Sequence, residues 1–218
     1  MDKDLAEQVA DIAQRVVASG AISANGHGNV SVRVPGAEEM YFTAGPSLRG
    51  HLASAVVRVG LDGALIEGDL PPIQGAVVAM HTAMYQDHPD VGCVLHTHSP
   101  YATAWAAVGE PIPCVITAMA DEFGGEIPLG PFALIGSDEI GRGIVATLTG
   151  HRSPAVLMRS HGVFTIGPSA RAAVKAAVMC EDVARTVHLA RSLGTVKPLA
   201  PAEVDALHHR YITAYGQR

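Results

Sequence analysis

The sequence predicts an α/β fold in one domain over residues 1–218, with mixed strand directions and helices on both faces of the sheet. The first reason is size and composition: 218 residues, 48% hydrophobic and 17% charged, suit one globular domain with an ample core. The second is that short apolar or alternating segments are interleaved with segments of helical periodicity along the chain. The third is that no internal repeat, low-complexity segment or long linker divides the sequence.

In the N-terminal half, apolar residues at helical spacing predict a first helix over 5–18, which is amphipathic and unlike a signal peptide. Strands follow, and the last two of them meet at Asp62-Gly63, a dipeptide typical of a tight hairpin turn. Helical residues then run over 75–87. The predicted strands of this half are 29–34, 40–43 and the two parts of 56–66.

In the C-terminal half, capping residues mark where helices begin and end. Ser169 is a predicted N-cap and Gly194 ends the same helix, while Ser137 precedes acidic first-turn residues as a second N-cap. The predicted helices are 100–108, 170–193 and one from Pro201 to near Tyr215. The predicted strands are 93–96, 112–117, 132–135 and 155–159.

Charge and composition exclude several classes of protein. The formal net charge is -6 and no cluster of Lys or Arg is present, which argues against nucleic acid or an anionic membrane as a partner. No run of about 20 uncharged apolar residues could span a bilayer. Cys93, Cys114 and Cys180 are far apart and odd in number, which indicates reduced thiols and a cytoplasmic location.

The pattern His96-Thr97-His98 closes one apolar segment, and His161 follows another. Residues i and i+2 of an extended segment project from the same face, so both imidazoles can reach one ion. Three neutral imidazoles form a facial set for a divalent metal and leave positions open for water or substrate, which is typical of a catalytic site. Histidines also scatter along strand ends, so packing histidines are the alternative that the spacing alone leaves open.

Several segments together resemble the class II aldolase family, which includes fuculose-phosphate aldolase and ribulose-phosphate 4-epimerase. The resemblance covers nearly the whole chain. It implies an α/β subunit of three layers, α/β/α, with a central mixed, largely antiparallel sheet. It also implies a ring-like homotetramer with active sites at subunit interfaces. The segments that carry it are 28–31, 85–101, 136–139, 160–163, the helix of Glu181 and the tail 214–217.

The resemblance also implies one divalent metal ion per subunit, held by the residues matching His96, His98 and His161. Members of the family bind zinc, manganese, iron or cobalt. Asp121 resembles the catalytic aspartate of the epimerase, with a surface loop carboxylate as the alternative. Tyr215 resembles its tail tyrosine, which reaches in from a neighbouring subunit as an acid or a substrate clamp; an ordinary C-terminal anchor is the alternative.

Four further residues are predicted to bind the substrate. Asn29 resembles a substrate-binding asparagine and, with Ser31, belongs to the Gly-Asn-Val-Ser segment of the resemblance. His27 lies beside Asn29 in the sequence and is predicted to line the pocket. Arg49 is a candidate anion-binding group, with an exposed loop arginine as the alternative.

One segment departs from the family pattern. The sugar-phosphate members carry Ser-Ser followed by Glu or Asp before a helix that ends in His. Counting back from His81, Gly75, Ala76 and Val77 stand at those positions, so two phosphate-binding hydroxyls and one acid are absent. A phosphate dianion needs several donors, and burying it without them costs several kcal/mol.

We therefore expect a metal-dependent carbon–carbon lyase that decarboxylates a small hydroxy-aromatic or heteroaromatic carboxylate. The alternative is an aldolase or 4-epimerase acting on a sugar phosphate, which Asp121 and Tyr215 favour. A third hypothesis, a catalytically inactive assembly module, is disfavoured because all three metal-site histidines are present.

Overall fold

A mixed sheet of eight strands forms the centre of the computed structural model, which describes residues 3–50, 52–134 and 139–216. The strands are β1 (Gly28–Arg33), β2 (Glu39–Thr43), β3 (Val56–Gly60), β4 (Leu65–Glu67), β5 (Cys93–Thr97), β6 (Leu129–Gly130), β7 (Ala155–Met158) and β8 (Gly162–Gly167). Their order across the sheet is β4-β3-β2-β1-β5-β8-β7-β6. All neighbours pair antiparallel except β6 and β7, which are parallel.

Seven helices in the described residues flank this sheet. They are α1 (Lys3–Ser19), α2 (Gly75–Asp87), α3 (Pro100–Val108), α4 (Thr117–Phe123), α5 (Glu139–Leu148), α6 (Ala170–Leu193) and α7 (Pro201–Arg210). A π-helical turn, Tyr211–Tyr215, continues α7. Short 3-10 turns precede β3 and α2, at Ala53–Ala55 and Pro72–Gln74. None of the described helices has the length and apolar character needed to cross a membrane.

The alternation of side chains along each strand separates two buried layers. On β5, Val94 packs with α2 and α5 on one face, whereas Cys93 and Leu95 pack with α1 and α6 on the other. On β7, Val156 and Leu157 separate between the two faces in the same way. The predicted three-layer α/β/α fold with a largely antiparallel sheet is therefore confirmed.

Two predicted strands are wrong. Over 112–117, Ile112 makes only an isolated bridge with Ile127, and the segment leads into helix α4 at Thr117. Short apolar segments do not distinguish a strand from the start of a helix by periodicity. In 132–134, Phe132 and Leu134 lie exposed, and the strand is β6, just before them. Residue 135 and the predicted N-cap Ser137 lie outside the described residues.

Candidate metal centre

Two of the predicted metal ligands come from the central strand β5, which lies between β1 and β8. His96 is opposite Phe164 of β8, and the two rings stack with centroids 4.5 Å apart. His98 follows the last residue of β5, and its backbone N–H donates to the carbonyl of His27 at 3.2 Å. The sheet thus fixes both backbones, and the two-residue period sends both imidazoles to the same side.

The third predicted ligand, His161, comes from the tight turn that joins β7 to β8. Ser160 in this turn has φ = 58°, in the left-handed region, and the N–H of His161 donates to the Met158 carbonyl at 2.9 Å. A side chain at Gly162 would place its Cβ 2.7 Å from the Thr97 carbonyl oxygen. Glycine at this position therefore lets the turn approach the end of β5, which brings the third imidazole to the other two.

The three imidazoles form a compact set whose ligand nitrogens all lie within 4.8 Å of one another. The Nε2 atoms of His96 and His98 are 3.1 Å apart. Nδ1 of His96 donates a hydrogen bond to the Val163 carbonyl at 2.8 Å, and this contact orients Nε2 toward the other rings. His161 Nδ1 is buried without a hydrogen-bond partner among the described residues.

The environment of these imidazoles keeps them neutral. Burial, reinforced by repulsion from His161 and His27, lowers the pKa of His98 to about 4. Burial also lowers the pKa of His161, and burial together with the two neighbouring histidines lowers the pKa of His96 well below its ordinary value. Neutral imidazoles are the protonation state that binds a metal ion, so this donor set fits a divalent cation.

Asn29 and Ser31 lie on β1 beside the metal centre. Asn29 is directly opposite His96 in the β1–β5 pairing, so both side chains project from the same face. Ser31 lies deeper, fully buried, and its Oγ is 2.7 Å from Nδ1 of His81. His81 in turn places Nε2 2.5 Å from the Asn29 Oδ1.

The site residues predicted from the sequence did not include His81. The structure shows it fully buried on α2, between Phe42 and Phe164, with both ring nitrogens engaged. Its partners are about 50 residues away in the sequence, so no local pattern reveals them. The only signal is a polar residue on the buried face of a helix, where a histidine needs hydrogen-bond partners.

His27 and Arg49 lie in neighbouring loops at the rim. His27 is exposed, with its ring 5.7 Å from that of His98. Arg49 is also exposed, and its Nε donates to the Ala24 carbonyl at 2.7 Å. The ring of His27 therefore adjoins the metal centre, whereas Arg49 braces one rim loop.

The predicted catalytic residues Asp121 and Tyr215 lie together. Tyr215 belongs to the exposed C-terminal π turn, and the Asp121 carboxylate accepts its hydrogen bond, which raises the pKa of Tyr215. The other carboxylate oxygen, Oδ1, is buried without a partner among the described residues. The backbone carbonyl of Asp121 accepts a hydrogen bond from Nδ1 of His208 at 2.8 Å.

A charged cluster holds this pair in place. Tyr211 donates to the Glu122 carboxylate at 2.5 Å, and Lys175 lies 2.6 Å from the same carboxylate and also contacts the Tyr211 hydroxyl. These contacts join α4, α6 and the π turn. The core beneath α4 includes α3, α6 and α7, on the face of the sheet opposite Val94 and His96. The Asp121–Tyr215 pair and the candidate metal centre are therefore held by different layers of the chain.

The buried His81 predicts a pH dependence of stability. Burial lowers its pKa to about 3 in the folded protein, from 6.5 when unfolded. Between these values the unfolded chain binds a proton that the folded chain does not, so stability falls as pH falls below 6.5. In urea titrations of metal-free protein at pH 6.5 and 5, His81→Gln is expected to reduce the acid-induced loss by on the order of 1 kcal/mol per pH unit. Thr82→Val, on the same helix, should leave that loss unchanged; equal losses in His81→Gln and the parent would contradict the assignment.

The fold and the histidine centre define the class of protein: a three-layer α/β/α domain that carries a candidate metal site. Residues 7–188 match the model of the Class II Aldolase and Adducin N-terminal domain. The chain belongs to this family.

Relatives and solved structures agree with this membership. The chain is 39% identical over 170 residues to L-ribulose-5-phosphate 4-epimerase UlaF of Salmonella typhi, covering 74% of this chain and 73% of the relative. It shares the fold of an L-fuculose 1-phosphate aldolase, with a TM-score of 0.88, 23% identity and coverage of 97% and 98%. YgbL from Klebsiella pneumoniae, described with the alternatives aldolase, epimerase and decarboxylase, matches with a TM-score of 0.79, 27% identity and coverage of 95% and 99%.

Proposed function

We propose that the chain is a metal-dependent enzyme that makes and breaks a carbon–carbon bond beside a carbonyl group, as an aldolase or 4-epimerase of a small sugar substrate. The observation that carries this proposal is the histidine centre: three neutral imidazoles within 4.8 Å at one edge of the sheet. His96, His98 and His161 would hold one divalent ion per subunit, with zinc, manganese, iron and cobalt as the metals to test. When bound, such an ion supplies a Lewis acid for the substrate oxygens and stabilises the enediolate that bond cleavage leaves.

The proton transfers are assigned to Asp121 and Tyr215. Retro-aldol cleavage needs a base that removes a hydroxyl proton, and the reverse addition needs an acid that returns it. An aspartate and a tyrosine in mutual contact provide both groups. Asn29 beside the metal centre and His27 at its rim would bind the substrate. Ser31 was predicted to bind the substrate too, but it lies deeper and would act indirectly, through its hydrogen bond with His81.

Three observations bear on the choice between this function and decarboxylation. The named epimerase relatives and the Asp121–Tyr215 contact favour aldol chemistry, because decarboxylation needs an electron sink and only one proton donor. The start of α2 favours decarboxylation of a hydroxy-aryl acid, because Gly75 and Ala76 carry no hydroxyl and Val77 presents an apolar side chain. An apolar wall suits a flat ring better than a polyhydroxylated chain. Decarboxylation is therefore the second candidate.

A substrate comparison separates the two. Protein reconstituted with zinc, manganese, iron or cobalt would be incubated with ketose phosphates, their unphosphorylated ketoses and ortho-hydroxy aryl acids. Cleavage or epimerisation of a ketose, followed by chromatography and NMR, is the expected result. Carbon dioxide release from a hydroxy-aryl acid, with no change in any ketose, would replace the proposal by the second candidate. Metal-loaded protein inactive on every class would contradict both.

Within one chain, the Asp121–Tyr215 pair is separated from the histidine centre. This separation supports an active site that is built from two adjoining subunits. The Asp121–Tyr215 pair lies in the layer of α4 and the C-terminal turn, away from the layer that carries the histidines. A ring-like homotetramer would place this pair against the metal centre of the adjoining subunit.

This arrangement predicts rescue between two inactive variants. His96→Ala removes the metal half of a site, and Asp121→Asn removes the proton-transfer half. If each site uses halves from two subunits, unfolding and refolding an equal mixture should restore about a quarter of the parental activity by random assembly. Each variant refolded alone is the control. A mixture no more active than the variants alone, despite verified mixed oligomers, would assign both halves to one subunit, and a fully active monomer in sedimentation would exclude the ring.

A further inference from the structure

A buried run of polar side chains connects helix α2 to strand β1 beneath the metal centre. The Tyr85 hydroxyl lies 2.8 Å from Ser31 Oγ, which lies 2.7 Å from His81 Nδ1. His81 Nε2 completes the run at 2.5 Å from the Asn29 Oδ1. Tyr85, Ser31 and His81 are fully buried, and Asn29 retains 6% of its exposure. Asn29 is therefore the end of the run that meets the pocket.

The donors and acceptors of this run can point in one direction only. The Asn29 Oδ1 is a carbonyl oxygen and can only accept, so His81 carries its proton on Nε2. A neutral imidazole then accepts at Nδ1, and Ser31 must donate there. The single proton of Ser31 is thereby used, so Tyr85 donates to the serine oxygen.

This direction fixes what Asn29 offers to the pocket. Its carbonyl oxygen is occupied by His81, and its amide nitrogen has no hydrogen-bond partner in the described part of the chain. Because Asn29 pairs with His96 across β1 and β5, that nitrogen projects on the face of the metal centre. We propose that His81, Ser31 and Tyr85 are positioning residues, which hold the Asn29 amide so that it presents N–H donors to a substrate oxygen.

This inference rests on the proposed function and narrows its substrate. Two N–H donors match an oxygen that only accepts, such as a carboxylate, a phosphate oxygen or a keto group. A substrate that places a hydroxyl proton there would leave the donors unpaired in a desolvated position, which costs binding free energy. Substrates are thus selected for an acceptor oxygen opposite Asn29.

The first test reads the proton position on His81 without any substrate. Long-range ¹H–¹⁵N NMR on histidine-labelled, metal-free protein distinguishes a proton on Nε2 from one on Nδ1. The His81 signal is identified as the one lost in His81→Gln, or as the one shifted by Ser31→Ala if that variant does not fold. A neutral ring protonated on Nε2 is expected. Protonation on Nδ1 would reverse the run and overturn the proposal.

The second test measures anion binding to the zinc-loaded protein by calorimetry, with salicylate and inorganic phosphate as probes. Asn29→Asp keeps an acceptor for His81 but turns a carboxylate oxygen toward the anion, so affinity for the bound probe should fall at least about tenfold. Ser31→Ala and Tyr85→Phe should weaken binding severalfold with metal content unchanged. Thr82→Val, adjacent to His81 on the same helix, should bind as the parent does. Parental affinity in Asn29→Asp would contradict the proposal.

The two probes and the NMR signal keep this inference separable from the proposed function. Binding of phosphate or salicylate that depends on Asn29, with His81 protonated on Nε2, would support the positioning role even if no ketose reacts. If neither anion binds the parent protein, the NMR result alone tests the proposal, and protonation of His81 on Nδ1 would overturn it. If the enzyme is active and Ser31→Ala and Tyr85→Phe leave KM and kcat unchanged, the proposed function would stand and the positioning role would be excluded.

Discussion

Replacing His96, His98 or His161 singly by alanine is expected to remove the bound metal and lower turnover at least about a thousandfold, because the Lewis acid lowers the activation barrier by several kcal/mol. His98 and His161 are half-buried, so these variants should stay folded with little change in thermal midpoint. His96 is buried against Phe164, so its truncation should also destabilise the fold by about 2 kcal/mol. Plasma emission spectrometry after gel filtration gives the metal content.

An exposed histidine provides the matched control. His151 precedes β7 outside the centre, and His151→Ala should retain metal and activity. Circular dichroism and thermal melts would establish that the loss in the other variants is not unfolding. A triple variant of the three histidines that still holds stoichiometric metal would place the ion elsewhere and remove the basis of the proposed mechanism.

The parts of this site that the sequence could predict are those set by local geometry. His96 and His98 fall on one side because strand side chains repeat every two residues, and His161 follows an apolar strand that returns to the same edge. Helix α2 (Gly75–Asp87) and helix α3 (Pro100–Val108) begin and end where periodicity and proline placed them. Rules of local sequence are sufficient where a single strand or helix determines the direction of a side chain or the end of the element.

The parts that could not be predicted depend on contacts between distant elements. His81 meets Ser31 and Asn29 because α2 packs over β1, a contact that no spacing in the sequence specifies. The contact of Asp121 with Tyr215 likewise depends on how α4 packs against the C-terminal turn. Residues 112–117 have the composition of a strand, but they precede α4 and make only an isolated bridge. Tertiary packing overrides local preference in each case.

Asp121→Asn should slow turnover by roughly 10²–10⁴-fold while the protein keeps its metal, because the variant preserves shape and removes one proton-transfer group. The carboxylate is half-buried, with Oδ1 lacking a partner among the described residues, and faces the Tyr215 hydroxyl. Without the carboxylate, the pKa of Tyr215 should also fall toward its ordinary value, because the hydrogen bond that Tyr215 donates to Asp121 raises it. Ultraviolet difference titration of tyrosinate measures this shift independently of catalysis.

A nearby carboxylate provides the control that distinguishes loss of proton transfer from loss of one negative charge. Glu126 lies exposed shortly after α4, so Glu126→Gln removes the same charge without touching Tyr215 and should leave kcat near the parental value. Tyr215→Phe should lower kcat as well, and the double variant with Asp121→Asn should lose little more than the worse single variant, because groups that act as a unit are not additive. Losses that add independently would mean that Asp121 and Tyr215 act in separate steps. Parental kcat in Asp121→Asn would exclude this carboxylate from proton transfer and leave the tyrosine as the remaining acid.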